Sequence, residues 1–300
     1  MGERRNLPGY TDGYWWSNDG LRLHYRDYPG GEAKENGCPP LLCFPGLTRN
    51  ARDYEGLASR LAGEWRVILV EFRGRGESAY AKDPMSYVPI TYLQDVGALI
   101  AELKIERFVA VGTSLGGIVT MLLSATGPQW LAGAVLNDVG PEIDAGGLAR
   151  IRGYVGKAVQ HPTWMHAARA LADANGDVYP GFGVEEWLGM AKRLYRLNSS
   201  GRIVLDYDMK IAEPFRVAGN EAAPDMWPTL DGLKGKPVLV VRGERSDILS
   251  ADVAAKMVAR LPGAELVTVP ATGHAPTLDE PEAIAGLERL LAKVADMVPA

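Results

Sequence analysis

Short, continuous apolar runs recur along the chain, and most stop at a glycine. Residues 41–44 end in Pro45-Gly46, residues 67–70 lead into Arg73-Gly74-Arg75-Gly76, residues 108–111 end in Gly112, and residues 132–136 make a fourth run. Between them, residues 54–62, 91–103 and 115–124 space their apolar positions as helices do. Runs of four or five apolar residues alternating with helices describe strands of a parallel sheet buried on both faces. Ahead of them, Tyr14-Trp15-Trp16 and Leu21-Arg22-Leu23-His24-Tyr25 flank Asp19-Gly20, which predicts a β-hairpin. From residue 141 to 224 the alternation stops, and the pattern is helical with no convincing buried strand. It resumes with a strand at 237–241, a helix at 251–261, a strand at 266–269 and a closing helix at 281–298. The expected organisation is one α/β core, residues 1–140 plus 226–300, interrupted by a helical insertion at 141–225.

Chemistry gathers at the glycine-rich ends of these strands. Gly112-Thr113-Ser114-Leu115-Gly116 fits G-x-S-x-G and lies between a predicted strand and a predicted helix. A sharp strand-to-helix turn there lifts the Ser114 hydroxyl to a helix N-terminus, where the dipole favours developing negative charge. A serine hydroxyl needs a base, and the chain has four histidines. His24 falls in the hairpin and reads as structural. His161 and His166 lie in the insertion without the acidic or cysteine residues of a metal site. His274, in Thr272-Gly273-His274-Ala275-Pro276, follows the last strand at the same sheet edge as Ser114 and is the expected general base. The acid that orients it is expected to be Asp247, because Ser, Asp, His is the chain order of such sites. Asp138, after the run at 132–136 and so also at a C-terminal strand end, is its rival, and Glu244 a weaker one.

These motifs together resemble the α/β-hydrolase superfamily, from the hairpin to the last helix and excluding the insertion. Carrying the resemblance are Phe44-Pro45-Gly46-Leu47, Arg73-Gly74-Arg75-Gly76-Glu77-Ser78, the Ser114 turn, and Gly273-His274-Ala275-Pro276 with Asp279-Glu280-Pro281. It implies a mostly parallel eight-stranded sheet flanked by helices, with a helical cap inserted over the site. It also implies an oxyanion hole made by the backbone amides of Leu47 and Leu115. Pro45 stands where relatives usually carry His, which changes the bonding around the loop rather than the donor itself. The double-arginine turn reads as a loop bonding local carbonyls and acids, and Glu71 as structural.

The insertion then becomes a cap. Trp164, Trp187 and Phe215, with Met165, Met190 and Tyr195, are candidates to line a substrate pocket, a minority of them facing substrate; Arg49 and Asn50 are candidates from the loop after Pro45-Gly46. The expected reaction is hydrolysis of a small carboxylic ester through an acyl-enzyme, with no metal and no organic cofactor. A lactonase similar to the enol-lactonases, or a hydrolase of carbon–carbon bonds in ring-cleavage products, fits the same residues. A ligand-binding protein on the same fold is the non-enzyme alternative. A serine at the turn weighs against the dehalogenase and epoxide hydrolase branches, which use Asp there.

Composition removes other classes. The net charge of -5 offers no basic face for nucleic acid. No stretch of about 18 apolar residues could span a membrane, and no secretory signal is seen. Cys38 and Cys43 are expected to be free thiols, and the cytoplasm is the default compartment. Oligomeric state is not encoded in any feature of the pattern.

Overall fold

The computed structural model describes residues 9–217 and 225–298. The apolar runs are strands: β1 Thr11–Trp16, β2 Arg22–Tyr28, β3 Leu41–Phe44, β4 Val67–Glu71, β5 Phe108–Thr113, β6 Leu131–Asn137, then in the insertion β7 Gln160–His161, β8 Tyr195–Leu197 and β9 Ile203–Leu205, and finally β10 Val238–Gly243 and β11 Glu265–Val269. The helices are α1 Glu32–Glu35, α2 Glu55–Leu61, α3 Pro89–Glu102, α4 Leu115–Thr126, α5 Ala145–Tyr154, α6 Trp164–Asn175, α7 Val184–Leu194, α8 Ala251–Arg260 and α9 Pro281–Asp296.

Eight strands form one sheet in the order β1-β2-β4-β3-β5-β6-β10-β11. The hairpin β1–β2 is antiparallel and pairs antiparallel with β4, while the other neighbours run parallel. Asp19-Gly20 makes the hairpin turn, with Gly20 at φ 79°, a conformation glycine adopts without strain. The continuous apolar runs have a simple cause. Leu42, Phe44, Ile68, Val70 and Ala110 pack on one face under α3, α4 and α8, while Leu41, Cys43, Val67, Leu69 and Val109 pack on the other under α2 and α9. Both members of the two-residue repeat are therefore buried, each Val, Leu or Ile contributing about 1.5–3 kcal/mol. Burial raises the Cys43 thiol well above its ordinary range, and both cysteines are free.

The insertion departs from the expectation of helices alone. Besides α5, α6 and α7 it holds a second sheet, antiparallel in the order β7-β9-β8. Those strands are two or three residues long, too short to show an alternation in sequence. Helices α6 and α7 enclose a small core of their own, with Ala167, Leu171, Trp187, Met190 and Tyr195. The cap is stitched to the sheet edge: Asp208 N–H donates to Gly74 O (2.8 Å), the Tyr87 hydroxyl to Asp208 Oδ2 (2.7 Å), and Gly273 N–H to Val178 O (2.9 Å). Among the described residues no helix is long and apolar enough to cross a membrane.

The double-arginine turn bonds local groups. Arg73 grips Asp95 (2.6 and 2.7 Å) and Asp19 (2.8 and 2.9 Å), and Arg75 Nε donates to the carbonyl of Leu47 (2.9 Å). Glu71 is fully enclosed and accepts from the amides of Ala51 (3.2 Å) and Glu77 (2.7 Å) and from His24 Nδ1 (2.9 Å).

Candidate active site

The turn between β5 and α4 holds Ser114 at φ 52° and ψ -114°, a region L-residues rarely occupy. Its neighbours explain how the chain tolerates this. A Cβ on Gly112 would run into the carbonyl of Gly116, and one on Gly116 into the carbonyl of Phe44 at the end of β3. Only glycines let three backbones pass this closely. Gly116→Ala is therefore expected to displace β3 or the turn, and to lower the melting temperature by several degrees, a loss of about 2 kcal/mol or more. Thermal unfolding followed by circular dichroism checks it; an unchanged midpoint would refute the close-approach argument. The Ser114 amide donates to Asn137 O at the end of β6 (3.0 Å), which fixes the turn against the next strand.

Ser114 and His274 meet. Ser114 Oγ lies 3.0 Å from His274 Nε2. On the other side of the ring, His274 Nδ1 lies 2.8 Å from a carboxylate, which assigns the proton to Nδ1 and leaves Nε2 to accept from the serine hydroxyl. That carboxylate belongs to Asp138 and not to Asp247. Asp138 is one residue past β6, fully buried, at φ 58°, and its second oxygen accepts from the amide of Gly243 (2.9 Å). Its own amide donates to Val241 O (2.8 Å).

Asp247 sits four residues past the end of β10, in a surface turn, and pairs with Arg150 of α5 at 2.5 and 2.8 Å. That guanidinium holds the Asp247 carboxyl below the usual carboxylate range, with a smaller contribution from the nearby His274. The expectation of Asp247 as the partner of His274 is thus corrected by position. β6 and β10 are adjacent and parallel, so both strand ends reach the same edge, and the residue directly after β6 is nearer than one in a longer turn. Glu244 faces elsewhere, accepting from Ala271 N–H (2.7 Å).

Supporting bonds converge on the same edge. Asn137 Nδ2 donates to Thr113 Oγ1 (3.0 Å) and to Pro276 O (2.9 Å), and the Tyr54 hydroxyl donates to Phe44 O (2.8 Å). The Tyr179 hydroxyl, from the cap, donates to Ala275 O (2.7 Å), and burial pushes Tyr179 up to about 12. Leu115 opens α4, so its amide is among the first-turn donors a helix leaves unbonded. Leu47 and Ser114 face one cavity, and a Cβ on Gly46 would stand 3.8 Å from Ser114 Cβ. A donor–acceptor chain of this kind can pass a proton from hydroxyl to imidazole while a buried carboxylate stabilises the charged ring.

The cavity measures about 540 Å³ and lies between the sheet edge and the cap. Of the residues expected to line it, Arg49, Met190 and Tyr195 do. Arg49 turns back over the loop at Gly46 and is held by Asp53 at 2.5 and 2.7 Å. The other expectations are corrected. Asn50 is buried; its carbonyl oxygen caps a short 3-10 turn, accepting from Arg52 N (3.0 Å), and its amide nitrogen reaches Arg193 O (3.0 Å). Trp187 is inside the cap, against Phe182 (ring centroids 5.1 Å apart) and Tyr179 (6.1 Å), and Trp164 packs on the same cluster. Met165 is exposed, and Phe215 is half-buried on a 3-10 segment outside the cavity wall. Aromatic residues on an amphipathic cap helix face the cap's own core first, because that burial is what holds the helices together. Sequence reasoning missed Tyr154, Tyr179, Arg193 and Tyr207, which do line the cavity. Among the described residues, no three His, Cys, Asp or Glu side chains gather as metal ligands.

The alpha/beta hydrolase family model matches residues 41–287. A 3-hydroxybutyrate-oligomer hydrolase of Cupriavidus necator is 36% identical over 257 residues, 82% of this chain and 85% of its own. A 2-(acetamidomethylene)succinate hydrolase of Mesorhizobium japonicum is 28% identical over 242 residues, 80% and 84% of the two chains. The crystal structure of an alpha/beta hydrolase from Novosphingobium aromaticivorans superposes with a TM-score of 0.90 at 61% identity, covering 96% of this chain and 100% of that one.

Proposed function

Since this chain belongs to the alpha/beta hydrolase family, we propose that it is a serine hydrolase cleaving small carboxylic esters. Its relatives named above are hydrolases, which supports a hydrolase here. The observation that carries the finer reading is the chain of bonds from Ser114 Oγ to His274 Nε2 (3.0 Å) and from His274 Nδ1 to Asp138 (2.8 Å).

In this reading Ser114 attacks the ester carbonyl as His274 takes its proton. The amides of Leu115 and Leu47 hold the tetrahedral oxyanion, each donor being worth about 100- to 1,000-fold in rate. Asp138 keeps His274 in the correct tautomer and offsets its charge. His274 then protonates the departing alcohol, and water, activated by the same imidazole, releases the acid. These steps need no other group. Joined 3-hydroxybutyrate units are linked by ester bonds, so the name of the Cupriavidus necator relative supports this bond type.

The test is steady-state hydrolysis of 4-nitrophenyl esters from acetate to decanoate, with five- and six-membered lactones alongside. A cavity of about 540 Å³ closed over by a cap should give the best kcat/KM with short acyl chains and a fall toward decanoate. Turnover of lactones alone would move the activity to the lactonase alternative. No turnover of either class would overturn the ester reading and leave the carbon–carbon alternative.

A further inference from the structure

The charges around the cavity do not balance. Its wall holds four cationic side chains, Arg49, Arg150, Lys157 and Arg193, and among the described residues a single acidic one, Asp53. Two cations are spoken for: Arg49 by Asp53, and Arg150 by Asp247 from behind the wall. Lys157 and Arg193 have no carboxylate partner among the described residues. Lys157 is exposed, so water satisfies it. Arg193 is only partly exposed, and its Nε is buried with no hydrogen-bond partner. A second polar atom on the cavity wall is in the same condition: His161 Nε2 is buried and unpartnered, its ring edge-on to Tyr195 at 5.4 Å.

Leaving a buried guanidinium nitrogen unbonded is costly, and native structures rarely do so without a reason. The backbone around Arg193 is meanwhile tightly fixed. Its carbonyl, at the C-terminal end of α7, accepts from Asn50 Nδ2 (3.0 Å), Arg52 Nε (3.1 Å) and Arg52 Nη2 (2.9 Å), and Arg52 is itself anchored on Asp206 (2.6 Å). Asn50 follows the loop of Gly46 and Leu47, so these bonds fix the helix end relative to Ser114's side of the cavity. The position is pre-organised and the side chain is left free.

We propose that Arg193 is an anchor for a carboxylate, and that the preferred substrates are esters that carry a free carboxylate in addition to the scissile bond, as a short linear oligomer of a hydroxy acid does. The planar fork of an arginine matches a carboxylate's two oxygens. With Arg49 and Arg150 already paired and Lys157 exposed, one partly buried guanidinium without a partner suits one carboxylate better than a phosphate monoester's higher charge. The identity of the scissile bond rests on the serine-hydrolase reading above; the anchor does not.

The experiment separates the two. The probes are the linear dimer of 3-hydroxybutyrate as its free acid and as its methyl ester, in which a methyl group replaces the terminal charge. Binding is measured by calorimetry on Ser114→Ala, where no turnover intervenes. The acid is expected to bind about ten- to a hundredfold more tightly than the methyl ester. That preference should vanish in Ser114→Ala/Arg193→Met and survive in part in Ser114→Ala/Arg193→Lys. Equal binding of the two probes to Ser114→Ala, with Arg193 intact, would overturn the anchor without any appeal to the variants. So would a preference that Arg193→Met leaves in place. If the acid is preferred but wild type cleaves neither it nor the 4-nitrophenyl esters, the ester reading fails and the anchor stands.

Discussion

Asp138→Asn is expected to lower kcat by about four orders of magnitude, while Asp247→Asn leaves it within about threefold. The two carboxylates differ in everything the chemistry needs. Asp138 is fully buried and bonds His274 Nδ1 at 2.8 Å. An asparagine there still offers an oxygen to the Gly243 amide, so the fold should persist. It can, however, present an NH₂ to the ring, which favours the tautomer with the proton on Nε2, where Ser114 needs an acceptor. It also removes the negative charge that stabilises the imidazolium. Asp247 loses only a half-exposed pair with Arg150, an interaction worth about 0–1 kcal/mol. Steady-state kinetics on the two variants, with melting curves to confirm that both are folded, decide it. A loss confined to Asp247→Asn would mean that the acid approaches from the β10 side after all.

The same pair shows what the sequence could and could not say. The fold was legible because parallel strands covered on both faces must be continuously apolar, and the glycines between them had no other use. Ser114 was legible because the elbow needs small residues at two flanking positions, and Gly112 and Gly116 supply them against the carbonyls of Gly116 and Phe44. His274 followed from strand-end geometry. Asp138 was visible only as a rival, since two acids stood after two adjacent strands. The deciding quantity is the distance of each from its strand end, one residue against four. A carboxylate abutting a fully buried run was the signal that favoured Asp138.

The cavity was the least legible part, and for a physical reason. Whether a cap residue faces substrate or the cap's own core depends on how α6 and α7 lie over the sheet, which periodicity does not encode. Trp164 and Trp187 went to the cap core because large aromatic surface is worth most there. Arg193 drew no reading from the sequence, because a basic residue at the C-terminal end of an amphipathic helix carries no signal of its own. Only the structure shows that its carbonyl is held by Asn50 and Arg52 while its Nε is left unbonded. For Asn50 the sequence indicated the right neighbourhood and the wrong role, because its side chain does not face the cavity but holds one of its walls.

Ser114→Ala is expected to remove about six orders of magnitude from kcat, leaving the residual acceleration that binding and the oxyanion donors alone provide. The substitution is clean. Alanine keeps the Cβ that the turn already accommodates at φ 52°, and Ser114 Oγ bonds His274 alone, so no other buried polar atom is orphaned. Its melting temperature should stay close to that of wild type. Intact-mass analysis after exposure to a fluorophosphonate provides the independent readout. Wild type should gain one adduct that maps to Ser114, and the variant none. Unmodified wild type, or a variant that turns over esters as fast as wild type, would remove Ser114 from the reaction. The strained turn, the buried Asp138 at φ 58° and the shared edge of β5 and β6 would then need another purpose. Two non-glycine residues at positive φ, at a cost of about 1–3 kcal/mol each, meet on opposite sides of one imidazole.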